Sequence, residues 1–162
     1  MLTWLENTPF SVWERGESLW GWPFMLTVHT LGTALVIGFV FIINLRLLGL
    51  FETIPFTSLS RLFPVVWVAF ALQILTGAAL WMTKPTRYAA DTAFLLKLAF
   101  VVAGFVLMLY IYGTVKREAA AWEEAGTVSS RGFKFVAPSL LVWCGALIAG
   151  RLTAYLGSLY TG

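Results

Sequence analysis

The chain has 162 residues, of which 59% are hydrophobic and only 12% charged, with a mean hydropathy of +0.82. Soluble domains carry about 25% charged residues, so these residues leave no room for a water-soluble domain of any size. A net charge of +3 and one cysteine exclude a nucleic-acid-binding surface, an intramolecular disulfide and a Cys-rich metal site.

The first 21 residues lack a basic leading region, and Glu6, Glu14, Arg15 and Glu17 interrupt every apolar stretch, so a signal peptide is not expected. Trp4, Trp13, Trp20 and Trp22 point to a short N-terminal helix lying in the headgroup layer, where amphipathic aromatic rings are most stable. A partly ordered tail is the alternative.

Four apolar runs follow, at 22–45, 62–82, 93–115 and 135–157. Each exceeds the roughly 20 residues that cross about 30 Å of hydrocarbon, and lipid-facing backbone must satisfy its own hydrogen bonds, so all four are expected to be helical. Pro55 and Pro64 bracket the turn into the second helix; Lys84-Pro85-Thr86 ends it, leaving Asp91 or Thr92 to cap the third. The text after Val115 (KREAAAWEEAG) is rich in helix formers and charge, which extends the third helix into water to about residue 125, where Gly126 stops it. Pro138 falls in the first turns of the fourth helix, where a missing donor costs little. The expected fold is all-α: residues 1–162 as a single transmembrane domain, an integral membrane four-helix bundle with an N-terminal interfacial helix.

The loops after the first and third helices carry Arg46, Arg61, Lys116, Arg117, Arg131 and Lys134, whereas the N-terminal segment and the loop after the second carry Arg15, Lys84 and Arg87. Six against three places both termini on the periplasmic side of a bacterial inner membrane.

Antiparallel alternation then fixes the depth of each intramembrane polar residue. His29 lies about 10 Å, Lys97 about 6 Å and Arg151 about 9 Å below the same boundary at 1.5 Å per residue. Charged groups in hydrocarbon cost about 2.5 to 3.5 kcal/mol and usually face a partner or a cavity. Lys97 and Arg151 can instead snorkel to the interface, but an imidazole is too short to do so. At helical spacing Gly32 lies beside His29, Gly77 beside Gln73, and Gly104 on the Lys97 face. Small residues serve close helix packing, and they also leave room for a flat ligand.

His29, Gly32, Gly38 and the run Asn44-Leu45-Arg46-Leu47-Leu48-Gly49 resemble a family of bacterial four-helix inner-membrane proteins of unknown function. That family usually has aspartate where this chain has Asn44. A looser resemblance runs to membrane haem proteins of the integral-membrane protoporphyrinogen oxidase and copper-resistance D types, on His29, Arg46 and Lys97. It implies b-type haem held by His29. The requirements of haem are an axial nitrogen, an apolar slot and cations for its propionates. His29 would be the metal ligand, Gly32, Gly77 and Gly104 the slot, and Lys97 with Arg151 the cations. With one histidine in the chain, a sixth ligand would come from Lys97, from Met25 or Met82, or from His29 of a second subunit.

The expected function on that reading is electron transfer or another redox role, with a quinone or periplasmic redox partner or a porphyrin-like substrate. The alternative is a cofactor-free membrane subunit or small-ligand permease, with the polar cluster serving oligomerisation or anion binding and a neutral His29 donating a hydrogen bond to a carbonyl or to Thr76. Copper ranks third, because Met25, Met82, Met108 and Cys144 do not converge at one depth. Cys144 reads as a small apolar filler, and Glu118, Glu123 and Glu124 as a solvated helical face. The sequence carries no motif of hydrolytic, nucleotide-binding or dinucleotide-binding enzymes, and names no catalytic residue.

Overall fold

The computed structural model describes residues 2–159. Its helices are α1 (Thr3–Glu6), α2 (Pro9–Arg15), α3 (Trp22–Leu47), α4 (Phe56–Leu59), α5 (Phe63–Met82), α6 (Pro85–Ala90), α7 (Thr92–Ala125), α8 (Ser130–Phe133) and α9 (Val136–Leu159), with no strand among the described residues. Four of these segments are long and apolar enough to cross a membrane. Their outward faces are apolar: Leu31, Val68, Leu75, Val102, Leu141 and Ile148 are all at least 58% exposed. Helices that are hydrophobic all round suit lipid on one side and protein on the other, which marks a multi-pass membrane protein.

Side-chain size explains the packing. α7 lies along α9, and α3 along α5. Between α7 and α9 each glycine meets a large partner: the Trp143 indole covers Gly104, the Phe100 ring covers Gly145, and the Lys97 stem crosses Gly150. Close approach through glycine is how bundles gain van der Waals contact where lipid offers no hydrophobic drive. α5 and α7 are instead spaced by rings, with Phe63 4.8 Å from Tyr112 and Phe70 stacked 4.9 Å from Phe105.

The most completely buried apolar side chains crowd toward the far end, where the α3–α4 and α7–α8 connections lie. Val36, Val40, Ile43 and Leu47 of α3 meet Phe63 and Val66 of α5, Met108, Ile111 and Val115 of α7, and Val136 of α9 in one cluster. There the Asn44 amide donates to the Val40 carbonyl (2.8 Å) and to Ser139 Oγ of α9 (3.2 Å). Arg46 donates from Nε to the Ile54 carbonyl (2.6 Å) and lays its guanidinium 3.7 Å from the centroid of the Phe56 ring. This arginine therefore fixes the α3–α4 turn, 17 residues and about 25 Å along the helix from His29.

α7 begins and ends as its sequence predicts. The Asp91 carboxylate accepts from the amides of Ala93 and Phe94, and Gly126 closes the helix in the left-handed conformation at φ +67°. Its 34 residues span about 51 Å, so the last turns project beyond a 30 Å hydrocarbon layer. The projection is solvated on one face, where Lys116, Arg117, Glu123 and Glu124 are exposed, and packed on the other. Trp122 is buried against Phe56 and Gly132, Glu123 caps α4 by accepting from the Thr57 amide (3.2 Å), and Ser129 donates to the Glu118 carboxylate. Two of the three charges of that face, Glu118 and Glu123, also hold the α8 turn and α4 in place.

Candidate functional site

The polar groups singled out by depth lie at the near end of the bundle, the end that carries α1, α2 and α6. His29 sits on the face of α3 that meets α5. Its Nδ1 is 2.9 Å from Thr76 Oγ1, and its Nε2 is 2.9 Å from Gln73 Nε2. The remaining bonds assign the protons. Thr76 donates its hydroxyl to the Leu72 carbonyl (2.8 Å), so it accepts from the imidazole and the proton is on Nδ1. The Gln73 amide donates to Nε2 of His29 and to Thr33 Oγ1 (2.6 Å), and Thr33 donates onward to the His29 carbonyl (2.9 Å). Every donor of His29, Gln73, Thr33 and Thr76 side chains is used, and both ring nitrogens are occupied. One acceptor, Gln73 Oε1, is buried without a partner.

Two of the three candidate glycines make this network possible. A Cβ at Gly32 would stand 2.8 Å from Gln73 Oε1, and one at Gly77 3.1 Å from His29 Cε1. Their missing side chains admit the amide and the imidazole between the helices. Gly104 belongs elsewhere: a Cβ there would stand 2.8 Å from the Trp143 indole, within the α7–α9 contact. The side chains nearest the three glycines are thus Gln73, His29 and Trp143 respectively.

The three ionisable residues expected at one level separate into a pair and an outlier. Lys97 lies within electrostatic reach of His29, with its stem against Gly150. Arg151 is exposed and turns along its own helix, donating from Nη2 to the Tyr155 hydroxyl (2.9 Å). The soft ligands are likewise dispersed: Met108 is in the far core, and Cys144 is exposed on the outside of α9 rather than filling a gap. Among the described residues no three His, Cys, Asp or Glu side chains stand together.

A residue that the depth argument missed closes the near end. Glu14 is fully buried beneath α2, with neither carboxylate oxygen hydrogen-bonded and Tyr88 of α6 within electrostatic reach. Desolvation pushes its carboxyl up from the usual carboxylate range. The helix is docked by Ser11 Oγ donating to the Met82 carbonyl (3.1 Å), while Glu6 accepts from the Thr86 hydroxyl (2.7 Å). The signal was available in the sequence: Ser11 and Glu14 stand three apart on one face of α2, with Val12 and Trp13 on the other.

No family model, curated protein or solved structure matches the chain.

Proposed function

We propose that this chain is a cofactor-free subunit of the bacterial inner membrane that works by assembly, with its polar cluster serving to hold helices together. The observation that carries the reading is the closed hydrogen-bond circuit of His29 with Thr76, Gln73 and Thr33, which joins α3 to α5. Such interhelical bonds are worth about 0.6 kcal/mol each in a bilayer and up to about 1.7, enough to set register. A b-type haem on His29 is the competing reading. It would need one of the two ring bonds broken and the side chains against Gly32, Gly77 and Gly104 moved aside.

Lys97 supports the assembly role. Its ammonium makes no hydrogen bond or ion pair among the described residues, and an uncompensated cation in hydrocarbon is costly. A second copy of the chain supplies the acceptor in this account. Exposure of Trp4, Trp13 and Trp20 supports α1 and α2 lying in the headgroup layer, and the six-to-three excess of basic residues supports periplasmic termini.

The test uses protein purified in mild detergent from cells fed haem precursor. Visible absorbance is expected to show no stoichiometric Soret band, and light scattering to show a homo-oligomer that Lys97→Met reduces toward the monomer. A stoichiometric Soret band abolished by His29→Ala would overturn the cofactor-free reading, and a monomeric wild type would overturn the assembly role.

A further inference from the structure

The far end of the bundle holds a site of different chemistry. A groove of about 570 Å³ between α7, α8 and the start of α9 is lined by Tyr110, Thr114, Arg117, Ser130, Arg131, Lys134 and Phe135. Three of these are cations and none is an acid. Arg117, Arg131 and Lys134 make no side-chain hydrogen bond or ion pair among the described residues. The acid beside them in sequence, Glu118, is bonded to Ser129.

A second groove of about 410 Å³ shares Tyr110 and Arg117 with the first and runs along α7 over Val106, Leu109 and Gly113. Its direction is that of the membrane normal. From Arg117 to Val106 is 11 residues, or about 16 Å, which is half of a 30 Å hydrocarbon layer and so the depth of one leaflet. Tyr110 and Phe135, stacked with centroids 5.3 Å apart, stand where the two grooves join. Gly113 makes room for the Arg117 guanidinium, which lies 3.8 Å from where a Cβ would stand, at the upper end of the apolar groove.

We propose that these two grooves form one binding site for an anionic diacyl phospholipid, with the phosphate among Arg117, Arg131 and Lys134 and one acyl chain along Val106, Leu109 and Gly113. Charge complementarity selects the headgroup, because three unpaired cations at the membrane boundary draw anionic lipid. The open apolar groove leading from those cations toward the bilayer interior, about 10 Å from Gly113 to Val106, selects a lipid over a free phosphate. The site is at the opposite end from His29 and does not depend on the role of that cluster.

The experiment is native mass spectrometry of the full chain released from nanodiscs made of equal phosphatidylglycerol and phosphatidylcholine. Wild type is expected to retain phosphatidylglycerol about tenfold over phosphatidylcholine. The triple variant Arg117→Ala, Arg131→Ala, Lys134→Ala should fall to parity. Val106→Trp, which blocks the chain groove about three turns from Arg117 and leaves the cations in place, should also lose most of the retained lipid. Soluble glycerol phosphate at millimolar concentration should not displace the lipid. Equal retention of the two lipids by wild type would overturn the proposal. So would an unaffected Val106→Trp variant, or displacement by glycerol phosphate, either of which would mark a phosphate site without lipid character.

Discussion

At the scale of single residues, the half-buried His29 and the fully buried Glu14 solve the same problem in opposite ways. His29 has every donor and acceptor of its ring matched by α5, so its burial carries little penalty. Glu14 has neither oxygen matched, and is tolerated because burial favours its protonated form. The pH dependence follows from that direction. With its carboxyl pushed up in the folded chain, Glu14 holds a proton more tightly there than when unfolded, so docking of α2 is strongest below the ordinary carboxylate range. It weakens as pH rises through that range toward the raised value. Hydrogen exchange over residues 9–15 should therefore quicken with pH beyond its intrinsic dependence. Glu14→Gln should remove that excess, and an identical excess in the variant would show that another group governs it.

At the scale of helices, glycine position separates packing sites from open ones. A Cβ at Gly104 would press on the rigid Trp143 indole, whereas one at Gly38 meets nothing within 4 Å. Gly104→Ala should lower stability by about 1–3 kcal/mol as overpacking does, and Gly38→Ala should be close to neutral. Unfolding in mixed detergent micelles measures both, and equal effects would contradict the α7–α9 packing described. The element boundaries were largely legible because their causes are local. Asp91 caps α7, Gly126 ends it in a left-handed turn, and apolar length marks each span. What sequence left hidden depends on rotation about the helix axis. Depth placed His29, Lys97 and Arg151 on one level, but only the facing of α9 decides that Gly150 meets Lys97 while Arg151 turns to Tyr155. The same holds for Gly104, which shares a face with Lys97 two turns away yet is covered by Trp143. The hydrogen bond from His29 to Thr76 was among the sequence alternatives; the role of Gln73 in holding the other ring nitrogen was not.

At the scale of the whole molecule, the two ends of the bundle do different work. The far end concentrates buried apolar side chains and fixes its turn through Arg46, and its surface is basic. The near end holds its helices with a polar circuit and is closed by a docked N-terminal segment. The central claim proposed above is that a bundle built this way needs no prosthetic group at its polar level. Because the chain contains one histidine, ¹⁵N-histidine labelling reports on His29 with no need for assignment. The most direct measurement is the ¹⁵N spectrum of that imidazole in bilayers, before and after adding one equivalent of haemin. The account predicts a neutral ring protonated at Nδ1, with Nε2 shifted by Gln73→Leu, Nδ1 shifted by Thr76→Ala, and no change on adding haemin. Loss of the Nε2 signal with haemin, alongside a stoichiometric Soret band, would contradict it.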